Sequence, residues 1–349
     1  MTPTMSIAGR KIGPDHPPYL VCELSANHNG SLERALKLMD AAASTGADAI
    51  KIQTYTADTL TINHNGPGFS IMGGLWHGRK LYDLYKEAFT PYEWHPALFA
   101  RARQLGITLF STPFDETAVD LLASLDTPAF KIASFEATDL ALIAYAAKQG
   151  KPIIISTGMA NLAEIHESVA TARTAGTREI ALLHCISSYP APIEDANLRT
   201  IPHLGSAFDV VSGLSDHTPG TAAAVASIAL GSSIIEKHFT LSRSDGGPDA
   251  AFSLEPMEFQ ALVDDCKNAW TALGKVHYDS KGSESGSLVF RRSIYVVEDV
   301  RKGEALTSKN IRSIRPGYGM APKHLPLMLG RFAARDLKRG EPLQSDMVS

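Results

Sequence analysis

The sequence predicts an α/β fold in which a closed (β/α)8 barrel is followed by a small β-rich domain, and three observations carry that reading. Eight short runs of β-branched and aliphatic residues alternate with amphipathic helical stretches from Tyr19 to about Leu273. After Leu273 the alternation stops and a polar, Gly/Ser-rich stretch, GKVHYDSKGSESGSLVF, takes over. Beyond it DVRKGEALTSKNI, from Asp299, is echoed by DLKRGEPLQSDMV, from Asp336, with Asp, Gly, Glu, Leu and Ser at matching places. Repeated β-α units build a parallel sheet with helices outside, and eight of them close a barrel of about 250 residues. The chain has 349 residues, which leaves room for a second, small unit. A doubly wound open sheet is the alternative.

The strand-like runs are YLVCELS, DAIKIQ, ITLFSTPF, AFKIAS, PIIIST, EIALLHCIS, VVSGLSD and SIIEKHFT. Among the helical stretches, LERALKLMDAAASTG places Leu32, Leu36 and Met39 on one face and stops at Gly46, and EWHPALFARARQLG stops at Gly106. One insertion breaks the rhythm between Thr54 and Thr90; it is rich in glycine and aromatic residues, and a loop of that length in a compact domain is usually functional. The domain boundaries read as 1–276 for the barrel, 277–290 for a linker and 291–349 for the β-rich module. Within that module, RPGYG from Arg315 to Gly319 combines a fixed backbone with tight turns and can present the Arg315 guanidinium in a defined direction.

Composition narrows the function classes. With 44% hydrophobic and 20% charged residues and a formal charge of -4, the protein has no whole-molecule attraction for nucleic acid. Anionic ligands must be met by individual lysines and arginines, since screening confines charge effects to about 8 Å. Cys22, Cys185 and Cys266 are three in number and far apart, which suits a reducing cytosol; Cys22 and Cys185 read as small buried hydrophobes. The N-terminus lacks an apolar signal core, and the most apolar stretch, 221–235, is broken by serines and Gly231, so a cytoplasmic location is expected, with neither export nor membrane spanning.

In a barrel of this kind the active site lies at the C-terminal ends of the strands. The first strand delivers Glu23, Ser25, Asn27 and His28 there. In AIKIQ, Ile50 and Ile52 face the helices while Lys51 and Gln53 face the lumen. The next strands bring Ser111 and Thr112, Lys131 and Ser134, Ser156 and Thr157, then Ser187, Ser188 and Tyr189. Lumen lysines need an anionic ligand or a carboxylate partner, here Glu23 or Glu136. Two lysines among hydroxyls form a receptor for phosphate or carboxylate, each contact worth about 4 kcal/mol before desolvation. His217 and His238 close two successive strands, so both imidazoles project from one edge. They are either hydrogen-bonded structural histidines or a pair holding one metal ion with open positions for water and substrate.

Taken in order, CELSANHNG at Cys22 to Gly30, IKIQ, FSTPFD, FKIASFE, ISTGMA, LLHCISSYPAP, GLSDHTPG, EKHFTL and RPGYG resemble the sialic acid synthase family over nearly the whole chain. The segment FSIMGGLWHGRKLYDLYKEAFTP, from Phe69 to Pro91, resembles the branch that makes pseudaminic acid. The resemblance implies a TIM barrel joined to an antifreeze-like (SAF) domain in a domain-swapped homodimer. It implies condensation of phosphoenolpyruvate with an N-acetylated amino sugar, 2,4-diacetamido-2,4,6-trideoxy-L-altrose for this branch, with cleavage of the enol C–O bond and release of phosphate. The legionaminic precursor and N-acetylmannosamine are the alternative acceptors, and a non-catalytic sugar-binding protein is the alternative of another class.

On matching positions, His217 and His238 would bind a divalent ion, Mn2+ or Mg2+, and Lys51, Thr112, Lys131, Ser134 and Ser156 would hold phosphoenolpyruvate. Ser187 stands where the family often has an asparagine beside the phosphate. Glu23, Gln53, Tyr189, Asp249 and a swapped Arg315 would surround the sugar, with Glu23 as acid/base, and the insertion would add Phe69 and Trp76 as apolar cover.

Overall fold

An antiparallel hairpin unforeseen in the sequence opens the chain: β1 (Met5–Ile7) pairs with β2 (Arg10–Ile12) in the computed structural model, which describes residues 3–349. Three-residue strands are too short to show an alternation, which is why the pattern is silent there. Met5, Ile7 and Ile12 join Tyr19, Val21, Ala49, Phe110 and Ile154 in one apolar cluster. The hairpin therefore plugs the barrel at the end where the strands begin. Each such side chain contributes about 2 kcal/mol of burial.

The barrel follows with β3 (Tyr19–Glu23), β4 (Ala49–Thr54), β5 (Thr108–Pro113), β6 (Phe130–Ile132), β7 (Ile153–Ser156), β8 (Ile180–Cys185), β9 (Val211–Asp216) and β10 (Ile234–His238). All neighbours are parallel, and β10 closes on β3. Side chains alternate between the lumen and the outer layer, where Leu20, Cys22, Ile50, Ile52, Leu109, Ile132 and Leu182 pack against the helices. The helix Leu32–Ser44 starts at the Ser31 cap and buries Ala35, Leu38, Met39 and Ala42. Helix His95–Leu105 ends on Gly106, whose φ of 67° supplies the left-handed C-cap. No helix among the described residues is long and apolar enough to cross a membrane.

The chain divides into two compact units between Gly274 and Lys275. The stretch expected as a plain linker winds into consecutive 3₁₀ turns over Gly282–Phe290, and the Val289 carbonyl accepts from Gly317 N at 2.8 Å. In the second unit β11 (Ser293–Val296) pairs antiparallel with β12 (Ile311–Ile314). Its internal echo is a spatial symmetry. Val300 and Leu337 exchange backbone hydrogen bonds of 2.9 and 2.8 Å, Asp336 accepts from Lys302 N at 2.8 Å, and Asp299 accepts from Arg339 N at 2.8 Å.

Candidate active site

Alternation decides what reaches the lumen above the apolar plug. Glu23, Lys51, Gln53, Thr112, Lys131, Ser156, Cys185, Ser215, Glu236 and His238 continue the inward-facing series begun by residues such as Tyr19, Phe110 and Ile234. Lys51 Nζ lies 2.5 Å from Glu23 Oε2, 3.0 Å from Thr112 Oγ1 and 3.5 Å from Glu236 Oε1. Lys131 Nζ lies 3.5 Å from the same Glu236 oxygen. Gln53 Nε2 donates to Glu23 Oε1 at 3.0 Å and to Ser25 Oγ at 3.1 Å, and Ser25 in turn donates to Asp249. One connected network thus runs from Asp249 to Lys131.

Its charges are unequally held. Burial pushes the Glu23 carboxyl above the ordinary carboxylate range, with Lys51 opposing. Burial also acts on Glu236, yet Lys131 and Lys51 outweigh it and hold that carboxyl below the ordinary range. Burial lowers Lys131. Lys51 stays above its usual value because Glu23 and Glu236 overcome the desolvation. Lys51 is paired closely with Glu23, whereas Lys131 meets only loosely, at 3.5 Å, a Glu236 oxygen that it shares with Lys51, an arrangement that suits an anionic ligand.

Beside the lysines lies a hydroxyl cradle. Ser134 Oγ accepts from Gly158 N at 3.2 Å, while Ser156 Oγ and Ser187 Oγ are buried without a hydrogen-bond partner. A Cβ on Gly158 would run into Ser187 Oγ and come within 2.8 Å of Ser134 Oγ, so glycine is required by close approach. Unpaired buried hydroxyls are costly unless a ligand satisfies them.

The two histidines stand over this floor with ring centroids 5.3 Å apart. His217 Nδ1 donates to the Ile186 carbonyl at 2.8 Å, the outer-sphere bond that fixes the tautomer of a metal-ligating imidazole. His238 Nδ1 is buried with no partner, and burial keeps this imidazole neutral, well below the usual histidine range. An unpaired ring nitrogen with a free lone pair fits a divalent cation. His217 is shifted upward instead; burial opposes the shift, and Cys185, 3.8 Å away, drives it. Among the described residues no third His, Cys, Asp or Glu completes a metal-holding group, so a cation at this pair would leave positions open.

Tyr189 roofs the pair, 4.3 Å from the His217 ring, 5.3 Å from Phe252 and 5.7 Å from Trp76. Trp76 Nε1 donates to Pro248 O at 2.9 Å, which ties the insertion to the loop carrying Asp249.

Several expectations are corrected. Phe69 packs edge-on against His64 within the insertion, in a hairpin turned by Gly73 and Gly74; the sequence could not tell which aromatic of the hairpin faces inward. Ser111 faces outward and bonds Thr54 and the Ile52 carbonyl, because Thr112 takes the lumen position. The carboxylate paired with Lys131 is Glu236 rather than Glu136. Cys185 is buried but lines the lumen beside His217, so it is more than a packing residue. Glu236 was legible and overlooked: in SIIEKHFT it shares the face of His238 two residues later. Arg315 lies in the second unit, exposed, next to a cis Arg315–Pro316 bond.

Barrel and lumen together define a protein of the (β/α)8 class whose strand ends gather two lysines, two carboxylates and two imidazoles in one buried cluster. Comparison with known proteins gives the family. The NeuB family model matches residues 38–278 and the SAF domain model residues 291–349, and the chain belongs to the NeuB family. It is 45% identical to the pseudaminic acid synthase of Campylobacter jejuni serotype O:2, over 95% of this chain and 96% of the relative. It is 44% identical to that of Helicobacter pylori, over 95% and 98%. An N,N'-diacetyllegionaminic acid synthase of Campylobacter jejuni is 35% identical over 92% and 97%. Among solved structures, the spore coat polysaccharide biosynthesis protein SpsE of Bacillus subtilis superposes with a TM-score of 0.68 at 33% identity, covering 99% of both chains.

Proposed function

We propose that this protein is a phosphoenolpyruvate-dependent synthase that makes pseudaminic acid from 2,4-diacetamido-2,4,6-trideoxy-L-altrose. The reaction class rests on one observation: two buried lysines share the Glu236 carboxylate below a pair of imidazoles, beside unpaired serine hydroxyls. The choice of sugar rests on the 45% identity to a pseudaminic acid synthase against 35% to a legionaminic one.

In this reading Lys51, Lys131 and Thr112 neutralise the enol phosphate and carboxylate, and Ser134, Ser156 and Ser187 donate to phosphate oxygens. The sugar lies toward Gln53, Asp249, Tyr189 and Trp76. A divalent cation at His217 and His238 supplies Lewis acidity at the sugar aldehyde. C3 of phosphoenolpyruvate forms the new bond to the aldehyde carbon, whose oxygen takes up a proton. Water adds its oxygen to C2 and gives one proton to the Glu23 carboxylate, which replaces the one delivered to the aldehyde oxygen; the tetrahedral adduct then expels phosphate as the C–O bond breaks, the remaining hydroxyl proton leaving with the phosphate and a ketone staying behind. Glu23, placed in the lumen between Gln53 and Lys51, is the acid for the aldehyde oxygen. The active form is a homodimer in which the partner subunit's Arg315 covers the barrel mouth.

The test is phosphate release from phosphoenolpyruvate with each candidate sugar, with and without chelator. Release with the trideoxy-altrose sugar, lost on chelation, supports the proposal. Release with N-acetylmannosamine alone overturns the sugar, and pyruvate consumption without phosphate release overturns the reaction.

A further inference from the structure

The residues preceding the two histidines form a second pair on the opposite face of the same strands. Asp216 and Lys237 are register partners across β9 and β10, and alternation turns them outward where His217 and His238 turn inward. Lys237 Nζ lies 2.7 Å from Asp216 Oδ2 and donates to the Thr218 carbonyl at 2.6 Å. Asp216 Oδ1 accepts from Thr218 N at 2.9 Å and from Thr218 Oγ1 at 2.8 Å. Both charged side chains are 1% exposed.

Stability alone does not explain such a pair. Desolvating two charges offsets most of their attraction, and an aliphatic pair of the same volume is often as stable or more so. What the pair adds is geometry. It clamps the end of β9, the turn after His217 and the last residue before His238 to one another through charge-assisted bonds of fixed direction. Backbone hydrogen bonds tie the His217 carbonyl to Ala191 N and the His238 carbonyl to Leu254 N, each at 2.9 Å, so they fasten each histidine to a different loop, whereas the ion pair fastens the two strand ends to each other.

We propose that Asp216 and Lys237 are positioning residues that hold His217 and His238 at the separation needed to share one divalent cation. This rests on the metal reading above. The experiment is calorimetric titration of the full-length, chelator-treated protein with Mn2+ alone, alongside its thermal midpoint, so that the readout is binding rather than turnover. The variants are Asp216→Leu combined with Lys237→Met, His238→Ala, and the isosteric Thr218→Val, which loosens only the Asp216 end.

The double variant is expected to keep or raise the midpoint while binding Mn2+ at least about tenfold more weakly, as disruption of a metal's outer support does. A smaller loss in a folded double variant overturns the proposal and leaves the metal reading standing. If the double variant does not fold, Thr218→Val decides: weaker binding at an unchanged midpoint supports the proposal, and unchanged binding overturns it. Failure of the unaltered protein to bind Mn2+ more tightly than His238→Ala overturns both readings.

Discussion

Glu236 Oε1 lies 3.5 Å from Lys131 Nζ, and this contact unites opposite sides of the barrel, since β6 and β10 are not neighbours in the sheet. The same oxygen is 3.5 Å from Lys51 Nζ, so one carboxylate keeps two ammonium groups together in a desolvated lumen. Glu236→Gln removes the carboxylate that the two lysines share and leaves Lys131 without its partner, while Lys51 keeps Glu23. Removing one member of a buried ionic group costs about 3–5 kcal/mol, so the thermal midpoint should fall. Added phosphoenolpyruvate should raise the variant's midpoint by more than it raises that of the unaltered protein, because the ligand replaces the missing charge. An equal rise in a thermal-shift assay would count against the anion receptor.

Gly158→Ala tests the hydroxyl cradle. Its Cβ meets the hydroxyls of Ser187 and Ser134, which must move aside. KM for phosphoenolpyruvate should rise at least tenfold while that for the sugar changes little, and a folded variant with unchanged steady-state constants would remove the cradle from substrate binding.

Glu23→Gln should abolish turnover while leaving the fold intact. The amide keeps the side chain's shape and one acceptor oxygen, loses the charge that faces Lys51 and cannot transfer a proton. Near-normal phosphate release would eliminate Glu23 as the acid.

Glu136 sets a pH dependence of stability. Its Oε2 is buried without a partner, and burial pushes the carboxyl from 4.5 up to about 7, with Lys131 opposing. A carboxyl whose folded pKa is raised stabilises fully below the unfolded value and loses that contribution as pH rises through the folded one. The fold should therefore lose about 3 kcal/mol between pH 4.5 and pH 8 through this group, at 1.36 kcal/mol per pKa unit. Glu136→Gln should flatten that part of the stability profile in urea unfolding at several pH values; an unchanged slope would refute it.

The swapped dimer is tested by mixing an Arg315→Ala chain with a chain inactivated at His217. Each is inactive alone. Exchange of subunits should restore activity, because one barrel in each heterodimer then has both an intact histidine pair and an intact covering arginine. No recovery despite proven exchange would count against the swap.

The sequence by itself determined the eight-strand rhythm, the helix stops at Gly46 and Gly106, and the inward faces of Lys51, Gln53, Lys131, His217 and His238. All of these follow from local periodicity, because a period of two tells lumen from outer layer once one residue is placed. It also carried the echo around Asp299 and Asp336, which folding turned into reciprocal hydrogen bonds. Tertiary structure alone decided which carboxylate meets Lys131, since Glu136 is five residues away in the chain while Glu236 reaches it only across a closed barrel. It likewise decided that Trp76 rather than Phe69 approaches Tyr189, because the turn of an irregular insertion has no period to read. The clamp of Asp216 on Lys237 belongs to the same class: each residue is ordinary in sequence, and only the pairing of β9 with β10 sets the two charges opposite one another behind the histidines.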